Sequence, residues 1–268
     1  MDTPDAFELS AEAAEAYEAV FVPAIFAEWA PLLVDLAAVA PGQSVLDVAC
    51  GTGIVARTAA DRVGREARVT GVDVNDGMLA VARRLRPDLT WHRADAAALP
   101  FPDRSFDAVL CQMALMFFPD RHRALAEMAR VVGPGGTVAV AVPASLGAQP
   151  AYGPFVDLVV GCAGPGARSL LDTYWACGDL EELSALVESA GLAVSSTRTH
   201  AGTARFGSVE AFVATEIEAS PLIDRITPEV YAAIRAGARD VLAPFTTPDG
   251  GVDAPLHGHL VAARPRAA

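Results

Sequence analysis

Three carboxylates and a glycine turn carry most of the chemical information in this chain. Asp47 lies inside an apolar run, Val45-Leu46-Asp47-Val48-Ala49. The run breaks into Cys50-Gly51-Thr52-Gly53 and resumes as Ile54-Val55-Ala56-Arg57-Thr58-Ala59-Ala60. The pattern predicts a buried parallel strand, a tight loop and a helix N-terminus, where glycine lets backbone N–H groups come close to a ligand. Asp73 lies about 20 residues beyond the loop, the separation expected of an acid that reaches a ribose, where a carboxylate can accept two hydrogen bonds from the vicinal diol. Asp95 comes later. Ionised, it is an acceptor only and suits an amino donor, though a helix N-cap would use the same oxygen.

Phosphate binding is disfavoured. A dinucleotide fingerprint needs a third glycine, and Ala56 followed by Arg57 stands in its place. A phosphate-cradling P-loop ends in Gly-Lys-Ser/Thr, which occurs nowhere in the chain. The 268 residues carry a formal net charge of −13, and such an acidic surface repels DNA and RNA. At 52% hydrophobic residues the chain can fill a core. No charge-free run long enough to span a bilayer is present, and the acidic start Met1-Asp2-Thr3-Pro4-Asp5 is not a signal segment. Cys50, Cys111, Cys162 and Cys177 form no Cys-x-x-Cys pair, which predicts reduced thiols and a cytoplasmic protein.

The elements that must position these groups follow in order. Residues from Ser10 to Ala40 read as helices that either form a flap or pack on the sheet edge, with Ser10 as an N-cap and Pro23 and Pro31 as punctuation. Strands are expected at Ser44–Ala49, Ala67–Val72, Leu89–Arg93, Ala108–Cys111 and Thr137–Val142. Asn75-Asp76-Gly77 should cap the helix that carries Met78, and Arg121–Val132 is an amphipathic helix that ends in a Gly133-Pro134-Gly135-Gly136 turn. After Pro143 the periodicity weakens through residues 144–168. A helix at 179–190, a sixth strand at Ala193–Arg198, helices at 209–219 and 229–242, a last strand at Gly258–Ala263 and a tail at Arg264–Ala268 complete the reading.

Asp47 to Gly53, the acid at Asp73, Asp95 and the run Leu99-Pro100-Phe101-Pro102-Asp103-Arg104-Ser105-Phe106-Asp107 come in one order within residues 44–142. In that order they resemble the class I methyltransferases that use S-adenosylmethionine (SAM), in particular the bacterial ubiquinone/menaquinone-type small-molecule methyltransferases. The Leu-Pro-Phe-x-Asp-x-Ser-Phe-Asp run is a hallmark of that group, and Arg130-Val131-Val132-Gly133-Pro134-Gly135-Gly136 follows its order too. The opening Tyr17-Glu18, with Val22-Pro23-Ala24-Ile25-Phe26, looks like one bacterial branch. SAM has no phosphate, so the missing glycine is no obstacle.

The resemblance implies an α/β, Rossmann-like fold. It would have a seven-stranded, mostly parallel sheet with helices on both faces, an N-terminal helical flap, a helical insert before the last strand, and that strand antiparallel. One methyltransferase domain would cover residues 1–268, with N-terminal helices in 1–40, the SAM-binding core in 41–145 and acceptor-side segments in 146–268. Cofactor contacts would come from Asp47, Ala49, Gly51, Thr52 and Gly53. Asp73 would hold the ribose, Val74 and Met78 would flank the adenine, Asp95 and Ala96 would meet its edge, and the Gln112 carbonyl would face the methionine ammonium. The implied reaction is in-line transfer of the SAM methyl group to an O, N or C atom of a small acceptor. Met113, Met116, Phe117 and Phe118 suggest an apolar one.

No general base announces itself. Tyr17, His122, Tyr152, Tyr174, Asp172 and His200 are the candidates. His257 and His259 alternate on a strand without further ligands near them in sequence, so no metal is expected. The expected protein is a monomer or homodimer. Rival readings are a SAM-fold protein that binds SAM without methyl transfer, as a cyclase or binding module, and an NAD(P)-dependent oxidoreductase.

Overall fold

The computed structural model describes residues 10–65, 67–218 and 220–266. The acidic start, the last residue of the helix expected at 209–219 and the end of the tail lie outside the described residues.

The chain opens with α1 (Ala11–Ala16), capped by the Ser10 side chain, which accepts from the Ala13 N–H. It continues into a π-helical stretch, Tyr17–Phe26, and then α2 (Trp29–Leu36). The π-helical winding has a local cause. Pro23 has no N–H to donate, and its ring clashes with the carbonyl four residues back in a regular α-turn, so the turn widens. β1 (Val45–Val48), α3 (Ile54–Val63), β2 (Val69–Asp73), α4 (Asp76–Leu85), β3 (Thr90–Arg93), β4 (Phe106–Gln112), α5 (Arg121–Val131) and β5 (Val132–Pro143) then alternate. The later elements are α6 (Tyr152–Ala163), α7 (Gly166–Leu171), α8 (Leu180–Ser189), β6 (Leu192–Phe206), α9 (Val209–Glu218), α10 (Pro228–Leu242) and β7 (Val252–Pro265).

The sheet has seven strands in the order β3-β2-β1-β4-β5-β7-β6. β1 pairs in parallel with β2 and β4, β2 with β3, and β4 with β5. β6 and β7 run antiparallel: Arg266 bonds back to Gly191 and Leu192, while Ser195 bonds to Ala262. The strand order reverses between β1 and β4, which puts a crevice at their carboxyl ends.

The chain forms two compact units. Unit 1 holds the chain to Ala141, Glu181–Arg198 and Leu260 onward; unit 2 holds Val142–Leu180 and Thr199–His259. In unit 2, α6 packs on α10, and Phe155, Phe206 and Tyr152 surround the buried Phe212 ring.

Beside the π-helical stretch, β7 differs from the sequence expectation, starting at Val252 and taking in Arg264 and Pro265 of the expected tail, and three further elements differ. The glycine turn after α5 is a bulge within β5: Phe106 pairs with Val132 and Ala108 with Thr137, so residues 133–136 face Asp107 alone. A Cβ on Gly136 would stand 2.6 Å from the Asp107 carbonyl oxygen, which is why the bulge is built from glycine. β6 runs on past Arg198 because Thr199, Thr203 and their neighbours are polar yet β-prone. α6 stands where composition suggested irregular chain, and its Pro154 sits in the first turn, where a missing N–H does no harm.

The indole of Trp91 packs on two glycines at once. A Cβ on Gly71, its cross-strand partner, would stand 2.4 Å from Trp91 Cζ3 and 2.9 Å from Cys50 Sγ, and a Cβ on Gly53 would stand 2.3 Å from Trp91 Cη2. Gly71→Ala is therefore expected to lower stability by about 1–3 kcal/mol through overpacking, and the loss should shrink in a Trp91→Ala background. Urea unfolding midpoints in a double-mutant cycle check this, and equal losses in both backgrounds would refute it.

Candidate functional site

The loop after β1 is wound by three left-handed residues: Ala49 (φ 55°), Gly51 (φ 54°) and Gly53 (φ 89°). The positive φ of Ala49 is strained for a residue with a Cβ, and such strain gathers at functional sites. Two carboxylates hold the loop. Asp47, 1% exposed, lies beneath it and accepts from the Ala56 N–H at 2.9 Å, satisfying a donor in the first turn of α3. Burial pushes Asp47 up to about 8, against the pull of that hydrogen bond. Asp73, at the end of β2, accepts from Gly51 N–H at 2.8 Å through Oδ2 and from Asn75 N–H at 2.9 Å through Oδ1. Gly53 N–H closes the turn onto Cys50 O at 2.8 Å. Two of the glycine N–H groups expected to face a ligand are thus engaged by the protein itself.

The other residues expected to meet a cofactor differ in exposure and in hydrogen bonding. Val74 is 48% exposed beside Asp73, an unusual place for valine. Asn75 caps α4 by accepting from Met78 N–H, and Met78 is buried with Ala14, Val81, Tyr17 and Leu85. Asp95 is exposed, and its Oδ1 accepts from Ala97 N–H at 2.8 Å in a local turn, with Ala96 buried next to it. The Val74 N–H adds a third backbone bond to Asp73; an ionised carboxylate has about four lone-pair sites, so both Asp73 and Asp95 keep capacity for a further donor. Gln112 ends β4, and the next residue, Met113, is again left-handed (φ 51°).

The N-terminal helices stand beside the loop, packed on α4, α3 and the central strand β4 and not on a sheet edge. α1 packs on α4, where Glu15 and Arg84 form a two-bond ion pair. The π-helical stretch is tied at one end by Glu18 to Arg57, 2.8 Å, and at the other by Phe26 O accepting from Gln112 Nε2, 3.1 Å. The Tyr17 ring stacks on Phe21 and Phe26, and its hydroxyl is 3.8 Å from where a Gly51 Cβ would stand. Burial first, then the charges of Asp73, Glu18 and Asp47, push the Tyr17 hydroxyl above the usual phenol range.

The Ser-Phe-Asp run is a brace. Asp107 Oδ2 accepts from both the backbone N–H and the hydroxyl of Ser44, each at 2.7 Å, fixing the start of β1 to β4. Arg130 donates to Phe101 O, Leu99 O and Asp103, and pairs with Glu127, which also accepts from Leu99 N–H. The hydrogen bonds of Asp103, Asp107 and Arg130 in this motif therefore shape the loop.

The base candidates are dispersed. His122 is exposed on α5 with Nε2 against Ser189 O. Asp172 is exposed and pairs loosely with Arg168, 3.9 Å, and His200 lies on β6. Tyr152 and Tyr174 do meet, in unit 2, around a residue that sequence reading passed over. Glu216 on α9 is hydrogen-bonded to the Tyr152 hydroxyl and acts on Tyr174. Burial pushes Glu216 up to about 7, while the bond from Tyr152 holds it back. Burial, then the Glu216 charge, pushes Tyr174 up to about 12. In the sequence Glu216 is one of three acids between Glu210 and Glu218, and only the fold separates them.

A methyltransferase-domain family matches residues 46–140. The demethylmenaquinone methyltransferase of Renibacterium salmoninarum is 45% identical over 127 residues, covering 47% of this chain and 51% of that protein. The ubiquinone/menaquinone biosynthesis C-methyltransferase UbiE of Hahella chejuensis is 33% identical over 180 residues, covering 61% of this chain and 72% of that protein. The chain thus spans about half the length of the first of these relatives and nearly three-quarters of the second. The structure of the YcgJ protein of Bacillus subtilis superposes with a TM-score of 0.62 at 20% identity, over 90% of this chain and 99% of that one, a likeness of fold.

The Glu216 pair gives a pH signature. Its folded-state value, about 7, lies above the ordinary 4.5, so the stability it contributes is complete below about 4.5 and is lost as pH rises through about 7. The difference in urea midpoint between wild type and Glu216→Gln should change across that interval and level off above it. A difference that stays constant from pH 4.5 to 8 would contradict the assignment.

Proposed function

The chain belongs to the class I SAM-dependent methyltransferases of the ubiquinone/menaquinone type, and from that premise we propose that it transfers the methyl group of SAM to a small, apolar, quinone-like acceptor. The observation that carries this reading is Asp73: a carboxylate at the carboxyl end of β2, one strand from the β1–β4 switch point, both oxygens fixed by backbone N–H groups, with the exposed Val74 next to it. The buried Thr52 Oγ1 and Gln112 Oε1 have no hydrogen-bond partner among the described residues, so the site has polar capacity that suits SAM.

In this proposal Asp73 accepts hydrogen bonds from the ribose diol. Val74 and Met78 flank the adenine, and Asp95 with the Ala96 backbone meets its amino edge. Ala49, Gly51, Thr52, Gly53 and Gln112 receive the methionine part, with Asp47 supporting the loop from below. SAM supplies an electrophilic methyl carbon on a sulfonium. The protein's share is placement, because holding an acceptor in line shortens the entropic path to reaction and little new charge needs stabilising. Met113 and Met116 are buried, and Phe117 and Phe118 are partly exposed beyond β4, which supports an apolar acceptor wall. A cytoplasmic location is part of the proposal; no disulfide forms among the described residues, and no single described helix is long and apolar enough to cross a membrane.

Calorimetric titration tests the cofactor half. Wild type should bind SAM and S-adenosylhomocysteine, and Asp73→Ala should weaken both by at least about tenfold, 1.4 kcal/mol. Incubation with SAM and demethylated naphthoquinols tests the rest, with methylated product as the expected outcome. Folded wild-type protein that binds neither nucleoside would end the reading.

A further inference from the structure

Three buried polar atoms beside the loop lack a hydrogen-bond partner among the described residues: Glu18 Oε2, Thr52 Oγ1 and Gln112 Oε1. Thr52 is 1% exposed and Gln112 9%. Unsatisfied buried groups of this kind are uncommon and call for an explanation.

Contacts link the three: Arg57 joins Glu18 to Thr52, and Gln112 is tied through Phe26 to Tyr17, the neighbour of Glu18. One Arg57 guanidinium donates to Thr52 O at 2.6 Å and to Glu18 Oε1 at 2.8 Å, so it holds both residues and leaves the second Glu18 oxygen unbonded. Tyr17, next to Glu18, reaches Gly51, next to Thr52. The Tyr17 ring stacks on Phe26 at 5.4 Å between centroids, and Phe26 O takes the Gln112 amide hydrogen. That last bond settles the Gln112 orientation. Only the amide nitrogen can donate to a carbonyl, so Oε1 is the atom left over.

A carboxylate oxygen and an amide oxygen can only accept, and the Thr52 hydroxyl can do so as well. Whatever satisfies all three must therefore donate. Charge narrows the choice: Glu18 and Asp73 both act on Tyr17, whereas Arg57 is already engaged by Glu18 and Thr52. The balance favours a cation. An alkylammonium has three N–H donors and no acceptor, which matches three acceptors and a surplus of negative charge.

We propose that Glu18, Thr52 and Gln112 form the recognition site for the α-ammonium group of the bound cofactor, with Glu18 supplied by the N-terminal helices. This rests on the SAM reading above. It adds a charged cofactor contact from outside the strand ends, at a residue the sequence motifs did not assign to the ligand.

The test compares two ligands on the full chain by calorimetry: S-adenosylhomocysteine, and 5′-methylthioadenosine, which keeps the adenosine and sulfur but lacks the aminocarboxylate tail. Wild type should bind S-adenosylhomocysteine more tightly. Glu18→Gln should weaken S-adenosylhomocysteine by about tenfold or more and leave 5′-methylthioadenosine within about twofold, with the melting temperature monitored in parallel. Thr52→Val retains the carbonyl that Arg57 holds and should act in the same direction; it carries the test if Glu18→Gln does not fold. Equal weakening of both ligands would mean that Glu18 only holds the N-terminal helices in place, and would overturn the proposal. So would no change in either ligand, or equal wild-type affinity for the two. Wild type that binds neither ligand would remove the cofactor reading and this site with it, an outcome distinct from a loss confined to the variants.

Discussion

The open end of the sheet depends on carboxylates that take up the backbone donors of one turn. The chain leaves β1 through residues 49–53 in a conformation that neither helix nor sheet can satisfy. Asp73 from the neighbouring strand accepts the Gly51 N–H of the turn, and Asp47 from beneath accepts the Ala56 N–H where the turn passes into α3. A buried donor left without a partner costs roughly 1–3 kcal/mol, so these two acids set the loop's shape before any ligand is considered. The sheet order then matters: Asp73 can reach Gly51 only because β2 lies beside β1. Burial makes Asp47 resist ionisation, so it serves as a hydrogen-bonding strut more than as a charge.

The same logic explains why a motif can be diagnostic and still have bracing as its visible role. Asp107 clamps Ser44, and Arg130 gathers the carbonyls of Leu99 and Phe101 with the carboxylates of Glu127 and Asp103. A loop with no regular hydrogen bonding needs such partners. A sequence that keeps the loop must keep these residue types at this spacing. Gly136 obeys a steric version of the rule, since the Asp107 carbonyl occupies the space a Cβ would need.

The parallel strands, the helix caps at Ser10 and Asn75, and the order of the elements were readable because each has a local signature. Asp73 was readable because its distance from the loop along the chain is itself informative. The role of Gly53 was only half readable: glycine was needed there, but the Trp91 ring that requires it comes from a strand 38 residues on, and nothing local announces it. Glu18 and Glu216 were missed because an acid in a helix reads as a solvated face until the fold shows what covers it. The π-helical winding escaped for a similar reason, since Pro23 signals an interruption without saying how the chain absorbs it.

The position of β7 has a consequence for how the molecule is made. It comes last in sequence among the strands yet lies between β5 and β6. During synthesis, both of those neighbours present unpaired edges toward the gap until residues 252–265 have emerged from the ribosome. Open strand edges are templates for pairing with other chains, and closure here must wait for contacts far apart in sequence, which slows folding. Chaperone demand in the cell would then track the time taken to translate the segment from β6 to β7, even though the glycine loop and its two carboxylates lie in the first third of the chain.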